Sequence, residues 1–173
     1  MTMTFELLVL RLVHILGGIF WVGSVLFTTV ILVPALAASG ANVGLVMSAV
    51  QNRRYLTFLP AVAVTTILSG LRLLWINSAG FSPGYFHSPQ GLAFSLAGTA
   101  ATIAFLSAML IVRPSAARSA ALGHAVGNAP DDQRPRLARE LAALRRRHAM
   151  ASAVTLTLLV MGAGGMAVAR YLP

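Results

Sequence analysis

The chain has 173 residues, of which 57% are hydrophobic and 10% are charged, and its formal net charge is +9. A soluble domain carries about a quarter of its residues as charged side chains, so this composition argues against a soluble globule or a disordered chain. The basic residues lie in the gaps between apolar runs and do not form a stripe with interleaved aromatics, which argues against nucleic-acid binding. The composition is typical of an integral membrane protein.

The residue types also limit the chemistry. The chain has no cysteine, and all 13 basic residues are arginine. Disulfides, thiolate metal sites and lysine bases are therefore excluded. The sequence shows no phosphate-cradling glycine loop, no Ser/His/Asp arrangement and no paired carboxylates within apolar runs. We predict no catalytic residues.

Four apolar runs are long enough to cross a bilayer as helices of about 20 residues. They span residues 12–33, 56–76, 92–112 and 149–169. We predict an all-α fold, in which residues 1–173 form a single integral membrane four-helix bundle. Small residues recur in spans one, three and four, and they favour close packing between helices.

The first span carries the only histidine within a predicted span. His14, Gly17, Gly18 and Trp21 share one face of the helix. The glycines leave room for a planar macrocycle, and neutral imidazole is a common axial ligand of haem iron. This face indicates a haem b or metal site at His14, with Gly17 and Gly18 beside the cofactor. A hydrogen bond from His14 to a neighbouring helix explains the same residue without a cofactor, and both interpretations stay open.

Near the end of the second span lies Arg72, at the same predicted depth as Arg11 and Arg170. Arginines at one level, with Glu6 as the nearby carboxylate, favour an anion such as a lipid headgroup, a phosphate or a haem propionate. Snorkelling of these side chains to the outer interface is the alternative. We expect lipid or anion contacts at all three arginines, and Arg72 beside a cofactor at His14.

After the third span, Arg113–Pro114 is predicted to end or kink the helix. Leu137, Leu141 and Leu144 then repeat at helical spacing, with arginines on the other face. This pattern predicts a cytoplasmic amphipathic helix over about 135–148, lying at the headgroups and running into span four.

A run of three arginines closes that amphipathic segment. Arg145, Arg146 and Arg147 are predicted to contact anionic lipid of the inner leaflet, each with about 1 kcal/mol of attraction. A regulatory lipid or protein site is the alternative for this run.

The fourth span supplies Met166, at a depth similar to that of His14. Met166 is the predicted second ligand of a haem at His14, and His87 from the outer loop is the alternative. Copper is a weaker prediction than haem, because the outer-facing methionines and histidines have no repeated spacing.

Arginine counts predict the orientation. Ten of the 13 arginines lie between spans one and two, as Arg53 and Arg54, or between spans three and four, while residues 77–91 carry no formal charge. The positive-inside rule then places both termini on the non-cytoplasmic side. We predict a multi-pass protein of the bacterial cytoplasmic (inner) membrane.

The first span carries a longer motif, in which His14 is followed after six residues by Trp21 and then by Gly23, with Val33–Pro34 at the exit. It resembles the opening helix of small four-helix membrane proteins around the copper-resistance D (CopD-like) domain and the HemJ-type protoporphyrinogen oxidases. Ser69-Gly70-Leu71 and residues 166–171 also resemble uncharacterised relatives of that group. The resemblance implies the four-helix fold and, by position, haem binding at His14.

Three functional hypotheses follow. The first is a redox-associated or haem- or metal-handling membrane protein with an outer-leaflet site at His14. The second is a non-catalytic accessory subunit that packs against a larger bioenergetic or transport complex, or against copies of itself, with its arginines holding lipid. The third, which the resemblance alone implies, is a HemJ-like oxidase.

Overall fold

The computed structural model describes residues 2–39, 46 and 55–172, and the regular structure in them is helical throughout. In chain order the α-helices are α1 (Thr2–Leu26), α2 (Val33–Ala38), α3 (Tyr55–Asn77), α4 (Pro83–His87), α5 (Pro89–Ser107), α6 (Arg113–Asn128) and α7 (Arg134–Ala169). Short π-helical segments, Phe27–Leu32 and Ala108–Val112, join α1 to α2 and α5 to α6. The connection with Arg53 and Arg54 lies outside the described residues.

Four helical stretches are long and apolar enough to cross a membrane, as the sequence predicted. They are Met3–Ala38, Thr57–Asn77, Pro89–Asn128 and Arg134–Ala169. Within each stretch only 6–17% of the most apolar window is buried inside the bundle. The apolar side chains therefore lie mostly on the outside, which is the reverse of a soluble helical protein.

The helices associate as two antiparallel pairs. In the first pair, Glu6 of α1 meets Arg72 of α3, and Phe20 lies edge-on to Phe58, with 5.4 Å between ring centroids. In the second pair, the Ser107 hydroxyl at the end of α5 lies 2.9 Å from the Thr155 hydroxyl of α7.

A small apolar core joins the two pairs. It consists of Trp21, Ala63, Ala104 and Leu159, one from each long helix. Trp21 also packs edge-on against Phe105, with 6.2 Å between ring centroids. Because alanine fills two of the four positions, the helix backbones approach closely at this level.

The helix of the third span does not end at Arg113–Pro114. The chain passes through the π segment Ala108–Val112, where the Arg113 N–H bonds to the Ala108 carbonyl, and continues as α6 to Asn128. Pro114 is tolerated because it occupies the first turn of the new α-helical segment, where a missing N–H costs little. Of the two predicted outcomes, an end or a kink, the end is wrong, and a wider π turn directly precedes Arg113.

The amphipathic segment 135–148 is helical and runs into the fourth span, as predicted. One uninterrupted α-helix of 36 residues runs from Arg134 to Ala169. The segment packs against α6, and we call residues 113–148, which comprise α6, the turn at 129–133 and this segment, the arginine hairpin.

Candidate functional site

His14 sits at the contact between α1 and α3. Its Nδ1 atom lies 2.8 Å from the backbone carbonyl oxygen of Thr66. A carbonyl only accepts hydrogen bonds, so Nδ1 carries the donated proton. In the neutral ring the lone pair then resides on Nε2.

A glycine on α3 provides the seat for this imidazole. A Cβ atom at Gly70 would lie 2.5 Å from His14 Cε1 and 2.9 Å from Nδ1, so the ring rests directly on the Gly70 backbone. Thr66 and Gly70 were not predicted as partners of His14. The signal was present in the Ser69-Gly70 pair, but it acquires this meaning only when α1 and α3 are placed antiparallel.

The glycines beside His14 face Thr66. A Cβ added at Gly17 would overlap the Thr66 hydroxyl, and one at Gly18 would lie 3.8 Å from the Thr66 methyl group. Thr66 is buried, and its hydroxyl donates to the Val62 carbonyl. The room that the sequence offered to a flat macrocycle beside Gly17 is therefore taken by a side chain of α3.

Arg72 is paired within the protein. Its Nη2 and Nε atoms lie 2.7 and 2.8 Å from Glu6 Oε1, and its guanidinium lies 4.6 Å from the centre of the Trp75 ring. Arg170 stacks on its neighbour Tyr171 at 5.4 Å. Among the described residues, Glu6 pairs with Arg72 and with neither Arg11 nor Arg170.

The two predicted second ligands, His87 and Met166, lie on helices other than that of His14. His87 donates from Nδ1 to the Pro83 carbonyl within α4, at 2.7 Å. Met166 is half-buried on α7. Across residues 2–39, 46 and 55–172, no group of three or more His, Cys, Asp or Glu side chains could hold a metal ion.

The arginine hairpin has its own polar contacts. Ser115 of α6 lies 2.9 Å from His148 Nδ1 of α7, and burial lowers the pKa of His148 while a backbone hydrogen bond at Val112 opposes part of that shift. At the tip, Arg134 binds Asp131 at 2.8 Å and donates to the Ala129 carbonyl. These contacts join the two helices at the base of the hairpin and hold its turn at the tip.

Comparison with known proteins gives no relative: no family model, no curated protein and no solved structure matches this chain.

Proposed function

We propose that this protein is a non-catalytic accessory subunit of a larger membrane assembly, which it contacts through the arginine hairpin. The observation that carries the proposal is the length of the two helical stretches that contain the hairpin, Pro89–Asn128 and Arg134–Ala169. Stretches of 40 and 36 residues measure about 60 and 54 Å at 1.5 Å per residue. Since the hydrocarbon core is about 30 Å thick, the two helices leave the membrane as a packed pair.

The charge of the hairpin supports a docking role. It carries eight arginines and three carboxylates. In the part of the chain that the structure describes, the hairpin has one ion pair, Arg134 with Asp131. The other seven arginines of the hairpin have no ion-pair partner among the described residues, and such guanidinium groups favour an anionic surface on another molecule.

The rest of the proposal concerns placement. The exposed apolar side chains of the four long helices face lipid, and the arginine excess keeps the hairpin in the cytoplasm of a bacterial cell. Arg145 and Arg146, next to the fourth span, contact anionic lipid of the inner leaflet. Both termini then lie on the opposite side.

Native gel electrophoresis of the protein, extracted from its own membranes in mild detergent, tests the accessory role. Two differently tagged copies should be expressed together, so that self-association is scored separately. We expect the wild type to migrate in an assembly that contains at least one other chain. Replacing Arg118, Arg136 and Arg139 by glutamine should release it, whereas glutamine at Arg11 and Arg170 should not. Association of tagged copies only, with no other chain, would overturn the proposal.

A second candidate function, haem or metal handling at His14, is favoured by one contact. A histidine ligand commonly donates its second ring nitrogen to a backbone carbonyl, as His14 Nδ1 does toward Thr66. The resemblance to CopD-like and HemJ-type proteins points the same way. The residues fit a single imidazole ligand, but they do not fit a haem lying against Gly17, where Thr66 stands, and Arg72 is already paired with Glu6.

An absorption spectrum and a metal analysis of the purified protein test this candidate. A Soret band, or bound copper, that disappears in His14→Ala and persists in His124→Ala would support it. A colourless, metal-free wild type after expression with added haem precursor and copper would rule it out.

A further inference from the structure

A groove runs between the two helices of the arginine hairpin. Its volume is about 680 Å³, and its walls come from one face of α6 and one face of α7. The lining residues are Arg118, Ala121, Leu122, Ala125, Glu140, Ala143, Leu144 and Arg147. Five of these eight are alanine or leucine, so the floor of the groove is apolar and is formed mainly by small side chains.

The charges of the groove lie at its two ends. Arg118 and Arg147 stand at the end nearest the predicted spans, because Arg118 follows Val112 by six residues and Arg147 precedes Ala149 by two. Glu140 stands toward the tip. Among the described residues, no carboxylate oxygen lies within 4 Å of a side-chain nitrogen of Arg118 or Arg147. The ion pairs in this part of the chain join Arg72 to Glu6 and Arg134 to Asp131.

The floor of the groove lies outside the predicted spans, and this position indicates which kind of molecule covers it. Apolar side chains within the spans face lipid, but Ala121, Ala125 and Ala143 lie beyond the predicted span ends, where the alternative to an occupant is water. All three are exposed in the isolated chain. Small side chains on both walls let another backbone approach closely, and a groove between two helices is the usual seat of a third.

A second copy of the chain is a poor occupant. Copies in one membrane share the same orientation, so a two-fold axis along the membrane normal places arginine ends at one level and Glu140 ends at another. Like charges would then face each other in an isologous contact. A lipid is also a poor occupant, because its headgroup matches Arg118 and Arg147 while its acyl chains point into the bilayer, away from the alanine floor.

We infer that this groove binds an amphipathic helix of a partner protein, with carboxylate side chains at its membrane-proximal end opposite Arg118 and Arg147. The inference rests on the proposed accessory role and names the surface and the chemistry of the partner. The groove extends over eight residues on each wall, 118–125 and 140–147, or about 12 Å of helix. A partner segment of two to three turns fills it, with apolar residues at i, i+3, i+4 and i+7 and no carboxylate opposite Glu140.

Site-specific photo-crosslinking in native membranes tests the surface. A benzophenone amino acid should be placed at Ala121 or at Ala143 in the full-length protein. Matched controls are the adjacent, equally exposed Ala120 and Ala142, which do not line the groove. We expect crosslinks to one protein at both groove positions, with a yield several-fold above the controls. Mass spectrometry of the product should locate the attached segment in a helix with acidic residues at one end.

Charge reversal tests the recognition. Arg118→Glu with Arg147→Glu should weaken the assembly by more than about tenfold, because carboxylates would face carboxylates. The matched control, Arg145→Glu with Arg146→Glu, changes the charge equally at the same distance from the membrane but on residues outside the groove. This control variant should preserve the assembly. Equal loss of the assembly in both variants would assign the effect to weaker attraction between the hairpin and the lipid headgroups, and it would contradict the groove inference.

The outcomes separate the two proposals. If the assembly persists in Arg118→Glu/Arg147→Glu, or if Ala120 and Ala142 crosslink as well as their neighbours, the groove inference fails while the accessory role stands. Crosslinks to lipid alone, or to a second copy, also overturn the groove inference. If no assembly forms in the wild type, the accessory role itself fails.

Discussion

His14 owes its place to two residues of α3 that have no polar side chain contact with it. The Thr66 carbonyl fixes the tautomer, and Gly70 gives the ring room to reach that carbonyl. A histidine held in this way between two helices stabilises their register, because the hydrogen bond forms only when the helices are aligned. Any ligand at Nε2 would add to this structural role and not replace it.

Gly70→Ala should loosen the contact between α1 and α3. The new methyl would lie 2.5 Å from His14 Cε1, so the ring or the helix must move. We expect a loss of about 1–3 kcal/mol in the free energy of unfolding, as for other overpacked contacts. The measurement is thermal unfolding in detergent micelles.

Gly23→Ala is the control for that substitution. Nothing lies within 4 Å of a Cβ at Gly23, so alanine should be neutral there, or stabilising by up to about 1 kcal/mol through its higher helix propensity. Equal melting temperatures for the two variants would contradict the seat assigned to Gly70.

The glycines of span one show what residue-level patterns can and cannot predict. Their spacing correctly predicted a face of span one with room for a close neighbour, and a hydrogen bond from His14 to another helix was one of two interpretations. The pattern could not identify Thr66 as the neighbour, because the space beside Gly17 looks the same for a cofactor and for a side chain. The pairing of Arg72 with Glu6 also depends on how α1 and α3 are aligned, which a local sequence pattern does not show.

At the scale of helices, α5 and α7 pack through glycine. A Cβ at Gly162 would lie 3.0 Å from the Ala97 carbonyl and 3.6 Å from the Ala101 Cβ, whereas nothing lies within 4 Å of one at Gly164. Leucine at position 162 must push the helices apart, and we expect a cost of about 1–3 kcal/mol. Leucine at position 164 should leave the thermal unfolding in micelles nearly unchanged. A larger loss at 164 than at 162 would show that α7 presents its other face to α5.

The arginine hairpin should respond to pH through His148. Because burial lowers its pKa in the folded state, the unfolded imidazole, with a pKa near 6.5, binds protons more readily. The free energy of unfolding should therefore be highest above about pH 6.5 and fall as the pH drops toward the lower folded pKa. Hydrogen exchange of the hairpin amides at several pH values measures this change.

His148→Gln is the matched variant for the pH experiment. Glutamine keeps a hydrogen-bonding group opposite Ser115 but does not titrate, so its hairpin amides should lose most of the pH dependence between about pH 7.5 and 5. His124→Gln, at an exposed position of α6, should behave as the wild type. An unchanged pH response in His148→Gln would assign the effect to another group.

The hairpin is also where one predicted helix end failed. Span positions follow from apolar length alone, and all four predicted spans overlap the long helices. Pro114 and the glycines of α6 have local preferences against a continued helix. Packing of α6 against α7 outweighs them, and that contact joins residues too distant in sequence for a local pattern to show.

For the whole molecule, the antiparallel pairs require that α1 begins and α7 ends on the same side of the bundle. Arginine placement then predicts which side faces the cytoplasm, since ten of the 13 lie in the connections between spans one and two and between spans three and four. The helix pairing and the charge count together give a topology that remains a prediction until it is tested. The accessory proposal depends on it, because the hairpin must face the compartment that holds its partner.

Reporter fusions in bacterial cells test that topology. A reporter that fluoresces only in the cytoplasm and an enzyme active only in the periplasm should each be placed at the N-terminus, in the turn at residues 129–133, and at the C-terminus. We expect fluorescence from the turn fusion alone and enzyme activity from both terminal fusions. Opposite signals at the two termini would contradict the paired helices themselves. Inverted signals throughout would preserve the fold but place the hairpin, its groove and any partner in the periplasm.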